Sequence, residues 1–169
     1  MQTLTREHAD LLGALGKHRG FLRYTVKGLT DEQAALRPTA SELCLGGIIK
    51  HVAAAERNWA NFIEGGAAAM AAGPGEASVD SWLDGFRMLP GETLAGLLEE
   101  YDAVARRTDD LVAAQPDLDA EWPLPQAPWF EPGSWSIRRV MLHIIAETAQ
   151  HAGHADIIRE TLDGAKTMG

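Results

Sequence analysis

Cysteine is nearly absent from this sequence of 169 residues, in which Cys44 is the only one. A single thiol excludes an intramolecular disulfide, as is usual for proteins of a reducing compartment. The first residues, MQTLTREHAD, contain no apolar segment and so predict no signal peptide. We therefore expect a cytoplasmic protein.

Long hydrophobic runs and an excess of basic residues are also lacking. No apolar run approaches the roughly 18–20 residues that a membrane span needs, so we expect no membrane partner. The chain has 15 Lys and Arg against 24 Asp and Glu, a formal net charge of −9. That balance argues against a nucleic-acid surface, which requires clustered Lys and Arg.

Alternating β-branched stretches are missing too, whereas Ala and Leu are abundant, and this composition favours helices. Apolar residues at steps of three and four predict four long helices, namely Thr5–Lys27, Leu45–Glu64, Glu92–Gln115 and Ser136–Leu162. We also expect a loop over residues 65–79 and a short helix over 80–89. These features predict one all-α domain over residues 1–169, a four-helix bundle with at least one long crossover connection.

Residues 116–135 hold five prolines and three tryptophans, too many prolines for a helix. A loop of this length in a compact domain is often functional. Trp122, Trp129 and Phe130 are therefore predicted either to cover a pocket or simply to pack the loop onto the bundle.

The last predicted helix carries an unusual group of polar residues in the stretch ETAQHAGHAD, residues 147–156. At about 100° per residue, His151 lies roughly +40°, His154 about −20° and His143 about −40° from Glu147. Val140 and Ile144 lie on the same side, so the carboxylate and the imidazoles are predicted to point into the bundle. Burying such a polar group without a partner costs a few kcal/mol, and burying a charge without a partner costs more. Either a His–Glu hydrogen bond or a metal ion can offset that cost.

His51 strengthens the metal interpretation because it lies in the middle of the apolar stripe of the second long helix. His51, Glu147 and His151 then form a three-ligand set from two helices that leaves coordination positions open, as catalytic metal sites do. Two His and one Glu suit Zn²⁺, Ni²⁺ or Fe²⁺. A satisfied core histidine remains the alternative for each imidazole alone.

The stretches LGGIIKHVAAAERNW and WSIRRVMLHIIAETAQHAGHADIIRE resemble the DinB/YfiT-like superfamily of bacterial four-helix-bundle metalloenzymes, and the resemblance covers nearly the whole chain. It implies metal ligation by His51, Glu147 and His151, most closely as in the mycothiol-dependent members, which use Glu followed four residues later by His. Many members carry HRGQ where this chain has HAGH, so the resemblance makes His154 a residue that supports the ligands. His143 also has counterparts in relatives.

The resemblance implies a transferase that joins a low-molecular-weight thiol of the mycothiol type to a small electrophile, with Zn²⁺ as the favoured metal. His154 and His143 are the candidates for moving protons or orienting ligands. Homodimers are common among relatives. The alternatives are a hydrolase that uses metal-activated water and a metal-binding stress-response protein without turnover.

Other side chains deserve a weaker expectation. Cys44 is either a nucleophile, an additional ligand or a buried thiol, while His8 and His18 either edge the pocket or belong to the core. Arg138 and Arg139 either bind an anionic substrate or are ordinary surface residues. Gly153 lies between two histidines in the middle of a predicted helix, which suggests a close helix approach or room for a ligand.

Overall fold

A computed structural model describes residues 4–70 and 83–167 of the chain. In order along the chain, the elements are α1 (Arg6–Thr25), α2 (Asp31–Ala35), α3 (Leu45–Gly65), a 3₁₀ turn (Gly66–Ala69), α4 (Leu94–Ala113), β1 (Glu121–Pro123), β2 (Ser134–Ser136) and α5 (Ile137–Asp163). The four long helices agree with the predicted ones to within a few residues at each end. The predicted all-α bundle of the DinB type is confirmed.

The four long helices form two parallel pairs. Arg138 at the start of α5 pairs with Glu7 at the start of α1, and Arg159 near the end of α5 donates to the carbonyl of Thr25 at the end of α1. In the same way Arg57 of α3 pairs with Glu100 of α4, and Glu64, further along α3, pairs with Arg107, further along α4. Because α3 and α4 run in the same direction, the chain between them must return along the bundle, which is the predicted crossover.

The core is divided by a buried charged layer. Arg19 of α1 and Glu56 of α3 have side chains only 3% and 0% exposed, and the guanidinium binds both carboxylate oxygens, at 2.5 and 3.1 Å. Arg19 also donates to Asp109 of α4 at 2.8 Å. One apolar cluster, which includes Leu22, lies on one side of this layer, and another, which includes Leu15, lies on the other.

The proline-rich connection contains a small hairpin that the sequence did not predict. Strands β1 and β2 pair antiparallel with Trp122 opposite Trp135. The indole of Trp122 donates to the carbonyl of Ile63 at 3.2 Å and covers Gly66, where a side chain would meet the ring at 2.9 Å. The hairpin is therefore fixed to the C-terminal end of α3.

The other connections can be compared only in part with their predictions. Residues 66–69 form the 3₁₀ turn within the expected loop, and residues 71–79 lie outside the described residues. The predicted short helix over residues 80–89 also lies partly outside them. Within it, residues 83 and 84 are helical, and residues 85–89 form a turn, a bend and irregular backbone. None of the helices described in the structure has the length and apolar character needed to cross a membrane.

We expect Glu56→Gln to lower the free energy of unfolding by about 3 kcal/mol, because it removes one partner of a buried ion pair. The matched control is Glu64→Gln, also on α3, whose carboxylate pairs with Arg107 at an exposed position. That change should cost less than about 1 kcal/mol. Urea denaturation of the three proteins measures both values, and equal losses would contradict the structural importance of the buried pair.

Candidate metal centre

Side chains from α3 and α5 converge on one carboxylate oxygen. The Nε2 atom of His51 lies 3.1 Å from Oε1 of Glu147, and Nε2 of His151 lies 3.3 Å from the same oxygen. The three ligand atoms of this cluster all lie within 4.8 Å of one another. The structure thus brings together the three residues that the sequence singled out as metal ligands.

This donor set fits a divalent cation. Metal–ligand bonds of about 2.0–2.2 Å place neighbouring ligand atoms about 3–3.5 Å apart, and the two nitrogen–oxygen distances lie in that range. Two imidazoles and one carboxylate are typical of sites that keep positions open for water or substrate. The cluster of His51, Glu147 and His151 can therefore hold a metal ion.

The cluster lies on the flank of the bundle between α3 and α5, not in its centre. The side chains of His51, Glu147 and His151 are 23%, 27% and 12% exposed. Thr148, the neighbour of Glu147, is fully buried, so the next position on α5 faces the centre instead. The expectation that the polar residues point into the bundle is therefore only partly correct, and the partial exposure leaves access for small molecules.

The electrostatics of the cluster favour an ionised carboxylate. Hydrogen bonds from His151 and His51 hold the pKa of Glu147 well below its usual range, against the opposing effect of burial. An anionic oxygen in contact with two imidazole nitrogens attracts positive charge, either as protons on the rings or as a cation.

His154 contacts His151 on the side away from Glu147. The two Nδ1 atoms lie 3.4 Å apart, and the rings meet edge to face with centroids 5.3 Å apart. One nitrogen of such a pair must carry the proton while the other accepts it. His154 is therefore placed to fix the tautomer of His151, as the partner of a metal-bound imidazole does.

His143 lies one turn before Glu147 and contacts two indole rings edge to face. Its ring centroid is 4.8 Å from that of Trp59 and 5.2 Å from that of Trp135. Burial lowers the pKa of His143, an effect that Glu147 opposes and Arg139 strengthens. His143 is thus kept neutral beside the cluster without belonging to it.

Phe86 forms a wall of the cluster that the sequence analysis missed. Its ring stacks on His51 with centroids 4.0 Å apart and an angle of 22°. The glycines at the start of α3 permit this approach, because a side chain at Gly47 would lie 1.9 Å from the carbonyl oxygen of Phe86. The GG pair before His51 was the available signal, since adjacent glycines inside a helix often mark close backbone contact.

Comparison with known protein families matches residues 10–164 to the mycothiol-S-transferase family. The chain belongs to this family. The match covers nearly all of the domain and confirms the DinB/YfiT-like resemblance inferred from the sequence. A search of curated proteins returns no match to the chain.

Three weaker candidates, Cys44, His8 and His18, contribute to the fold of this chain. Cys44 is buried and caps α3, since its sulfur accepts from the backbone N–H of Gly47 at 3.4 Å. His8 is buried and contacts Thr5 and the carbonyl of Gln115 at 2.6 and 3.1 Å. His18 lies edge-on to Phe21 and takes no part in the cluster.

The aromatic residues of the connection divide into two groups. Trp122 packs on the end of α3, and Trp129 is 56% exposed. Phe130 instead contacts Trp59 and Trp135, at centroid distances of 6.0 and 5.9 Å. Phe130 therefore extends the aromatic surface around His143, whereas Trp122 serves the packing of the loop.

Gly153 makes no close contact with another helix. A side chain built at this position meets no described atom within 4 Å, and the residue is exposed. A close helix approach therefore does not require glycine there, and room for a ligand stays a prediction.

Gly47 and Gly153 give a matched pair of substitutions. Gly47→Ala should lower the free energy of unfolding by about 1–3 kcal/mol, because the new methyl group overlaps the backbone of Phe86. Gly153→Ala should raise it by about 1 kcal/mol, because alanine favours the helix and nothing opposes it. Urea denaturation measures the free energy of unfolding of both variants. A Gly47→Ala variant as stable as wild type would contradict the close packing of residues 85–89 on α3.

Proposed function

We propose that this chain is a metal-dependent thiol S-transferase that conjugates a low-molecular-weight thiol of the mycothiol type to a small electrophile. The observation that carries the proposal is the convergence of two imidazoles and one carboxylate at a half-open site of a mycothiol-S-transferase family bundle.

His51, Glu147 and His151 would hold the ion, with Zn²⁺ favoured and Ni²⁺ or Fe²⁺ compatible with the same donors. A divalent cation in such a site lowers the pKa of a bound thiol and so supplies a thiolate at neutral pH. Glu147 brings its negative charge to the site, and Phe86 holds the ring of His51 in place by stacking.

His143 is the candidate for taking the proton that the thiol releases. Its neutral imidazole has a lone pair, and none of the hydrogen bonds found among residues 4–70 and 83–167 uses its ring nitrogens. The indoles of Trp59 and Trp135, which stack on each other, cover one side of the ring. His154 would keep His151 in the tautomer that presents Nε2 to the cluster.

The test uses metal analysis and a conjugation assay on the same preparations. Wild-type protein should contain about one divalent ion per chain and should join mycothiol to monochlorobimane, forming a C–S bond and releasing chloride and a proton. His51→Ala should lose both the metal and the activity. His18→Ala is the matched control, since it removes an imidazole outside the cluster.

The outcomes separate the proposal from its alternatives. Cleavage of ester or amide substrates without thiol would favour a hydrolase that uses activated water. Metal uptake without either activity would favour a metal-binding protein. Equal trace metal in wild type and His51→Ala would leave only a histidine–glutamate hydrogen-bonded cluster. The location in the cytoplasm and the homodimer remain predictions, which cell fractionation and light scattering would test.

His154 gives a second prediction because glutamine occupies its position in many members of the superfamily. His154→Ala should weaken metal binding about 10–100-fold, since it removes the acceptor for Nδ1–H of His151. His154→Gln should retain most of the affinity, because the amide oxygen can accept the same proton. Competition with a chelating dye measures both variants, and an unchanged affinity in His154→Ala would show that His154 is not needed to orient His151.

A further inference from the structure

Helix α5 carries a row of four functional groups at steps of four residues: His151, Glu147, His143 and Arg139. Each step turns by about 40° and advances about 6 Å, so the groups follow one continuous band on the helix. The Cα atoms of Arg139 and Glu147 are therefore about 12 Å apart. Arg139 marks the end of this band that lies away from the cluster of His51, Glu147 and His151.

Arg139 is unusual among the arginines of this acidic protein. Nine of the eleven arginines pair with a carboxylate, and in the described part of the chain only Arg106 and Arg139 have no such partner. The adjacent Arg138 pairs with both Glu7 and Asp119. Arg138 is thus engaged by the scaffold, whereas the exposed guanidinium of Arg139 remains available for an external anion.

The guanidinium of Arg139 is held beside an aromatic surface. Its Cζ atom lies 4.5 Å from the ring centroid of Trp135, which stacks on Trp59 with centroids 4.8 Å apart and an angle of 14°. Phe130 lies edge-on to both indoles. Trp59 is buried in the core, so the guanidinium forms the outer layer on the ring of Trp135, and His143 lies edge-on to both indoles between Arg139 and the cluster.

We propose that Arg139, held on the ring of Trp135, forms a binding subsite for the electrophile that selects compounds carrying a carboxylate. The guanidinium fork matches a carboxylate in two parallel hydrogen bonds, and its contact with Trp135 holds the fork in place. This assignment rests on the proposed function for the identity of the bound molecule as the electrophile. Its binding preference does not depend on turnover.

The test compares the binding of 4-nitrobenzoate with that of the uncharged 4-nitrobenzamide by isothermal titration calorimetry, using the protein as purified. Wild type should bind the carboxylate about tenfold more tightly than the amide, the effect of one charge-assisted pair. Arg139→Gln should remove that preference while leaving the binding of the amide unchanged. Arg139→Lys should retain part of it, because the charge remains but the fork is lost.

Arg106→Gln is the matched control, since Arg106 is also exposed and has no carboxylate partner, and the change in net charge is the same. It should keep the full preference for the carboxylate. The proposal is overturned if wild type shows no preference or no binding, or if Arg106→Gln loses as much as Arg139→Gln.

His51→Ala separates this proposal from the proposed function. The variant should lose metal and conjugation activity but keep the preference for 4-nitrobenzoate, because the subsite lies at the other end of the band. Conjugation activity with an unchanged preference in Arg139→Gln would remove only the subsite. A preference that depends on Arg139 in a protein without transferase activity would remove only the catalytic assignment.

Discussion

The buried ion pair between Arg19 and Glu56 is the constraint on which the arrangement of the helices depends. A charge without its partner at the centre of the bundle costs several kcal/mol, about 3–5 when one partner is removed, whereas apolar layers alone tolerate sliding more easily. Moving α3 by one turn, about 5.4 Å, would separate Glu56 from Arg19 and also withdraw His51 from Glu147. The ion pair and the candidate metal centre therefore require the same register of α3.

The same layer explains why the donors lie on the flank of the bundle. Glu56 and Thr148 occupy the centre at this level, so Glu147 and His51 must reach each other at the edge of the α3–α5 contact. A site at the edge retains access to small molecules, and Phe86 restores part of the enclosure from outside. A fully buried cluster would fit a structural ion better than a site that exchanges substrates.

The predictable features were those carried by periodicity within one helix. The spacing of His143, Glu147, His151 and His154 placed these residues on one side of α5, and His51 followed from the stripe of α3. Arg19 and Glu56 could not be found in this way, because single charged residues usually lie at the surface and their pairing joins positions far apart in sequence. Phe86 and the hairpin escaped for a related reason, since both depend on contacts between a connection and the end of a helix.

One rigid helix presents both the chemistry and the proposed recognition of the electrophile. Because α5 carries the donors in its middle and Arg139 in its first turn, the distance between the two is set by helix geometry and does not vary with loop conformation. Arg138 stabilises that first turn through Glu7 and Asp119. Arg139 has no carboxylate partner in the described part of the chain. A change at position 139 can therefore alter which compounds bind without moving the carboxylate and imidazoles two turns away, and selectivity can diverge within such a bundle while its candidate metal ligands stay the same.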